Sequence, residues 1–372
     1  GLALLDLSTG LFTAEEMTRA DGLADSLKSF APSECAISDT QAENAELRSV
    51  LGEVPALHVS PCDGWTFDYD AAYHNLIGHF GVHSLEGFGC EGRKALVGAA
   101  GGVLHYVKED LRRQHGHVRA LSIRNSADYV VLDDATCGNL NLTPVRGRES
   151  SVSLLQVLDV TKTAMGGRKL RDWIVRPLAN LREITRRHDA VEAFTRDRAL
   201  LRDVTDTLGK VRDLERLIAR IGAGTGNARD VAGLGVSLEG VPQVKKLVEN
   251  HAAPLLKELG GALVCLPELV GLIKRAIVDE PPIAIKEGGL IREGYRAELD
   301  ELRRAATQGR QWLAEYQVRE QERTGIKTLK VRHNKVFGYY IEVSRGQADK
   351  APPDYTRKQT LVNGEWFITP EL

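Results

Sequence analysis

The chain is poor in the features that fix a cofactor or a compartment. Its five cysteines (Cys35, Cys62, Cys90, Cys137, Cys265) are scattered, odd in number and without a C-x-x-C pair. That argues against a disulfide framework and a zinc knuckle, and reads as free thiols in a reducing cytosol. No apolar run approaches the ~18 residues that a membrane span needs, and no charged-then-apolar leader opens the chain. Nor does a G-x-x-x-x-G-K-[ST] loop occur anywhere, so this stretch carries no P-loop nucleotide site. The first residue is Gly1 rather than Met, and the last is Leu372 after Thr369-Pro370-Glu371, which reads as a piece of a longer protein.

What is present is a soluble-type composition, 42% hydrophobic and 27% charged, over 372 residues. That length predicts two or three domains. The net charge of −2 hides an asymmetry along the chain. Residues 1–110 hold six Lys/Arg against seventeen Asp/Glu, and residues 139–232 hold eighteen against twelve. Between Lys327 and Lys358 there are eight Lys/Arg and three acids. A local excess of that size points to a polyanion as partner, and the acidic first part cannot supply its main contact face.

Strand and helix patterns alternate over the first ~125 residues. A hairpin is expected around Ser8-Thr9-Gly10, then a helix near 22–30, a strand at 34–38, a helix at 42–51 and a strand at 56–59. Helices follow at 70–80 and 93–113. The succession predicts an α/β domain with a mixed sheet. A strand-like run at 128–134 leads into a mainly helical region with apolar spacing near 3.6 at 153–158, 166–173, 181–195 and 198–208. The cluster Gly222-Ala223-Gly224-Thr225-Gly226 follows a helical pattern and no strand, so it reads as a helix–helix connection. From Gly289 to Gly325 one apolar stripe predicts a single helix of roughly 50 Å at 1.5 Å per residue. A β-patterned segment with basic residues and aromatics follows it.

That segment contains NKVFGYYI (Asn334–Ile341) and RKQTLVN (Arg357–Asn363). It resembles the DNA clamp of the MutS family of mismatch-repair proteins. The stretch from Asp159 to Arg171 (DVTKTAMGGRKLR), Arg176-Pro177-Leu178 and Arg187–Glu192 are similar to that family's core, or lever, region. The first ~125 residues look like its connector. The resemblance implies a ribonuclease-H-like α/β connector at 1–125, a helical core/lever domain at 126–325 and a small β clamp at 326–372. It also implies that this piece grips duplex DNA without reading sequence and relays signals through the lever helices. Intact relatives are expected to dimerise, to use ATP and Mg²⁺ through a domain absent here, and to dock a MutL-type partner through the connector. The piece itself is expected to be no enzyme, to hold no cofactor or metal, and to reside in the cytoplasm.

The residues expected to meet DNA are Arg332, His333, Asn334 and Lys335 at the hairpin turn, and Arg357, Lys358, Gln359 and Asn363 after Tyr355. Cations neutralise phosphates, and amide side chains donate to phosphate oxygens. Phe337, Tyr339 and Tyr340 are expected to alternate between faces and pack the small β domain. Gly364 and Trp366 depart from the family's usual Ala and Arg, and Trp366 reads as packing. The alternative is a metal-dependent, ribonuclease-H-like nuclease using Asp6 on the first strand with Asp133 and Asp134, although no further carboxylate pattern supports it. His74, His79 and His83, near Cys62 and Cys90, read as a helix end rather than a metal site. Arg168, Lys169, Arg171, Arg186 and Arg187 read as a solvated face neutralised by Asp172, Glu183, Asp189 and Glu192.

Overall fold

The computed structural model describes residues 1–17, 21–144, 152–334, 336, 338–360 and 364–372. It forms two compact units, Gly1–Ile291 and Arg292–Leu372. Among the described residues no helix is long and apolar enough to cross a membrane.

The first unit opens with β1 (Leu2–Asp6) and β2 (Leu11–Glu15), an antiparallel hairpin with Leu4 opposite Thr13. Its turn is closed by the Asp6 carboxylate, which accepts from Ser8 N at 2.8 Å and from Thr9 Oγ1 at 2.9 Å. Gly10 then takes a φ of +75°, which a side chain would resist. The chain continues through α1 (Asp21–Phe30), β3 (Glu34–Ser38), α2 (Asp39–Ala42), α3 (Ala45–Gly52) and β4 (His58–Cys62). Next come α4 (Tyr69–Phe80), α5 (Lys94–His105) with a π-helical turn at Tyr106–Asp110, and β5 (Ser122–Arg124).

The alternation agrees with the sequence pattern, but the one mixed sheet expected from it is two sheets. β5 joins β2 in parallel to give the order β1-β2-β5, while β3 and β4 pair in parallel apart from them. β1 and β3 line a common cavity instead of pairing with each other. One apolar cluster holds Phe12, Leu76, Leu96, Val97 and Leu104, and another holds Leu2, Leu4, Leu27, Ile37 and Leu51. Each such side chain contributes roughly 2 kcal/mol by burial. α5 lies close to its neighbours because it lacks side chains at the contact: a Cβ on Gly101 would sit 2.4 Å from the Ala72 Cβ.

The helical part of this unit runs through α6 (Asp134–Asn139), α7 (Leu154–Leu158), α8 (Ala164–Val175), α9 (Leu181–Arg196), α10 (Arg198–Leu208) and α11 (Leu214–Gly222). It ends with α12 (Ala228–Val248), α13 (Pro254–Ala262) and α14 (Pro267–Ala276). Ser153, Thr163, Asn180, Asp197, Asp213 and Asn227 each cap a helix by accepting a backbone N–H. The glycine cluster does connect α11 to α12. The strand expected at 128–134 is absent. A single bridge, Tyr129 to Leu178, remains there, and Asp133 turns the chain into α6 by accepting from Thr136 N at 2.7 Å. α12 packs against α10, α11, α13 and α14. Its Ser237 hydroxyl is buried, accepting from Arg212 N at 2.9 Å and donating to Gly233 O at 2.8 Å.

The second unit is a helix and a β module. The helix, α15 (Ala297–Thr324), has 28 residues and is thus roughly 42 Å long, shorter than the stripe predicts. Ile291 and Tyr295 keep helical spacing but precede it, because Gly288, Gly289 and Gly294 take positive φ and break the chain there. Gly325, at φ +69°, ends it in the left-handed conformation. β6 (Lys330–Asn334), β7 (Gly338–Ser344), β8 (Thr356–Thr360) and β9 (Gly364–Ile368) form an antiparallel sheet in the order β6-β7-β9-β8. Tyr316 packs with Ile326, Leu329, Ile341, Val343, Tyr355 and Phe367 as the core.

Candidate nucleic-acid interface

The root of the β module is polar as well as apolar. Glu320 is 4% exposed, and its carboxylate accepts from the Tyr355 hydroxyl at 2.7 Å and from a fork of Arg323 donors. Arg323 also reaches Asp354 at 3.0 Å and holds that carboxyl below its usual range. Burial, with Glu320 beside it, pushes the Tyr355 phenol well above the ordinary tyrosine value. Two glutamines of α15 finish the joint: Gln317 Oε1 accepts from Val331 N at 2.9 Å, and Gln321 Nε2 donates to Leu329 O at 2.8 Å. These bonds fix where the sheet starts relative to its helix.

Strand alternation then sorts the candidate residues between two faces. Val331, Ile341 and Phe367 are neighbours across the strands on the core side. The opposite side carries Lys330 and Arg332 on β6, Tyr340 and Glu342 on β7, Trp366 on β9 and Gln359 on β8. Tyr340 and Trp366 pack there with ring centroids 4.2 Å apart, so the departure at position 366 is a packing residue. Tyr340 is 6% exposed and Tyr339 45%, in line with the expected alternation.

The predicted contact residues are therefore not all on one surface. Arg332 is exposed, and its Nε meets Glu342 at 2.7 Å. His333 is exposed and sits edge-on to Tyr339 at 4.9 Å, on the other side of the strand. The Asn334 side-chain oxygen is committed to the turn, accepting from Val336 N at 2.8 Å. Arg357 lies on the core side at the rim, its Nε 2.9 Å from the largely buried Glu365 and its guanidinium over Phe367. Lys358 occupies the register shift in β8 and is exposed, while Gln359 is half-buried opposite Trp366. Lys335, Asn363 and Phe337 lie outside the described residues. Lys330 escaped the sequence reading as a contact, although its i, i+2 spacing to Arg332 marks it as a member of the same face. Glu342 and Glu365 had no local signal, because pairing across strands brings them to the arginines.

The rival chemistry in the first unit loses its residues to structure. The Asp6 carboxylate is used by its own turn: burial raises its pKa, but hydrogen bonds from Ser8 and Thr9 outweigh that and leave it below the usual value. Asp133 is a helix cap. His79 meets Val118 O at 2.7 Å and His74 meets Asp70 O at 2.7 Å. Among the described residues no three His, Cys, Asp or Glu side chains converge as metal ligands. The thiols of Cys35 and Cys62 are pushed up to about 11 by burial, which makes them poor nucleophiles.

The basic residues of α8 and α9 find partners, though few of those expected. Arg168 forks onto Asp213 at 2.7 and 2.8 Å, and Arg187 lies 3.8 Å over the Trp173 ring. Arg186 pairs with Glu183 and Glu258, and Asp172 pairs with Arg176. Tertiary partners replace Asp189 and Glu192 in that role.

Two family models match this architecture, MutS domain II over residues 1–119 and MutS domain III over residues 135–351. Three relatives named DNA mismatch repair protein MutS align with the whole chain. They come from Halothermothrix orenii (41% identical), Symbiobacterium thermophilum (44%) and Myxococcus xanthus (42%). The chain belongs to the MutS family. It spans 42–43% of the length of these relatives.

Proposed function

We propose that the β6–β9 module grips the phosphate backbone of duplex DNA, as part of a MutS-type mismatch-repair protein. The observation that carries this reading is the face of the sheet away from its core, where the exposed Lys330 and Arg332 stand in line on β6, together with the exposed Lys358 at the irregularity of β8. Such a set neutralises phosphates and carries no base-reading code. α15, joined to the sheet through Glu320, Gln317 and Gln321, acts as the lever that positions the grip. The acidic first domain is the connector, of ribonuclease-H-like topology, and its role is docking of a MutL-type protein rather than DNA contact. The three parts are 1–125, 126–325 and 326–372. ATP hydrolysis with Mg²⁺ and dimerisation belong to parts of the relatives that this chain does not match, and the setting is the cytoplasm.

The test is the salt dependence of binding to a mismatch-free duplex. Lys330→Gln, Lys335→Gln and Lys358→Gln together should weaken binding and flatten the slope of log K against log salt by about three units or fewer. Lysines are chosen because removal of Arg357 would strand the buried Glu365 and mix stability with affinity. A slope equal to wild type would refute the grip.

A further inference from the structure

The first unit contains a cavity of about 1680 Å³ walled by β1, β3, α1, β5 and α8. Three polar side-chain atoms among its lining residues have no hydrogen-bond partner among the described residues: Thr13 Oγ1, Ser29 Oγ and Arg124 Nη1. Thr13 is only 3% exposed. The strand register places Thr13 and Arg124 on one face, and α1 brings Ser29 to the same cavity. Thr13 is beside Ser122 and Glu15 beside Arg124, so side chains two apart on β2 and β5 share one face of the sheet. The Ser26 hydroxyl donates to Glu15 at 3.1 Å, which lays α1 over that face, and Ser29 is one turn further along the same helix. Arg171 of α8 reaches the same wall, donating to Ser29 O at 3.4 Å.

Arg124 and Ser29 are half-buried as residues, but their Nη1 and Oγ atoms are enclosed, and enclosed polar atoms are almost always bonded. Water satisfies a hydroxyl, but it does not neutralise a guanidinium, which stays charged at every accessible pH. Among the described residues Arg124 makes no ion pair, although Glu15 is its cross-strand neighbour and is bonded to Ser26 instead. An acceptor with negative charge would complete the enclosed Nη1 and suit the unpaired guanidinium that carries it. Its donors come from a central strand, an edge strand and a helix, so they do not lie in one plane. A tetrahedral oxyanion offers acceptors in three dimensions, whereas those of a carboxylate lie in one plane.

We infer that this cavity binds a phosphate group, held by Arg124, Thr13 and Ser29. The volume exceeds that of phosphate alone, so a phosphomonoester fits with its body along the apolar walls. The site is separate from the DNA grip and does not depend on it.

The test is thermal unfolding of the 372-residue chain in potassium phosphate against potassium chloride at equal ionic strength. Phosphate is also a general stabiliser of folded proteins, so the informative quantity is the difference between wild type and variants. Wild type should show a saturable rise of a few degrees specific to phosphate. Thr13→Val should melt at or above wild type without phosphate, since it removes an unbonded hydroxyl, yet respond less to it; Arg124→Gln should lose the response. If Arg124→Gln does not fold, the comparison with Thr13→Val stands alone. Saturation by inorganic phosphate at lower concentration than by AMP assigns free phosphate, and the reverse assigns an esterified one. Equal rises in wild type and variants, no specific rise at all, or an equal response to acetate would overturn the assignment.

Discussion

The sheets of the two units are covered differently. In the first unit β1 and β2 read LALLD and LFTAE, and apolar clusters draw on both of their faces, Phe12 into one and Leu2 and Leu4 into the other. In the second unit β6 reads KVRHN, with Val331 toward the core and Lys330 and Arg332 away from it. A sheet covered on both sides spends its sequence on packing, and one covered on a single side has a face left for function. The polar groups follow the same division. In the first unit Asp6, Asp133 and His79 close turns and helix ends, while Lys330 and Arg332 of the second sheet stand exposed on the face away from its core.

The comparison breaks most visibly if the packing of the first unit fails alone. Gly101→Leu puts a side chain where the Ala72 Cβ already lies within 2.4 Å of a Cβ position. Overpacking of this kind should cost about 3 kcal/mol. Trp65 and Trp173 lie in the first unit, and Trp312 and Trp366 in the second, so single-tryptophan backgrounds can follow each. The expected result is an earlier transition at Trp65 with the Trp366 transition unmoved. A joint shift would show that the two units unfold as one. Glu320→Gln is the matching change in the second unit. It keeps an acceptor for the Tyr355 hydroxyl but removes the charge that faces Arg323. Arg323 is 42% exposed, so the loss should be about 2 kcal/mol rather than that of a fully buried pair. It should appear in the Trp312 and Trp366 signals, with the salt slope of DNA binding retained below the transition.

Much of this was legible in the sequence, for physical reasons that also mark where legibility stops. The first hairpin announced itself through Ser8, Thr9 and Gly10, whereas the closure of its turn by the Asp6 carboxylate came from the structure. Helices near 153–158, 166–173, 181–195 and 198–208 were visible as apolar periodicity, while the caps that start them, such as Ser153 and Asn180, came from the structure. By contrast, Tyr129–Leu132 has strand composition, yet Val131 is 79% exposed and one bridge is all the pairing it finds. Local propensity does not supply a partner strand. The start of α15 misled in the opposite sense, since periodicity ignores the three left-handed glycines that interrupt it. In the β6–β9 module, most of the cations were readable one by one. Their division between two faces and their pairing with Glu342 and Glu365 depend on the register of β6 with β7 and of β8 with β9.

The smallest effect sharpens the comparison through pH. In the first unit Arg168 of α8 clasps Asp213, which also caps α11, and the guanidinium holds that carboxyl below its ordinary value of 3.8. A carboxyl with a lowered folded pKa binds fewer protons folded than unfolded, so its contribution is complete above that ordinary value. It is lost as pH falls through the lower, folded value. Asp213→Asn keeps a good helix cap while removing the charge. With Arg168 and Asp213 29% and 19% exposed, screening limits the pair to about 1 kcal/mol. The variant should therefore melt below wild type at pH 6, followed at Trp173, and the gap should close as both are taken to pH 3 and lower. A gap that persists in acid would mean that Asp213 acts through its cap and its packing rather than through its charge.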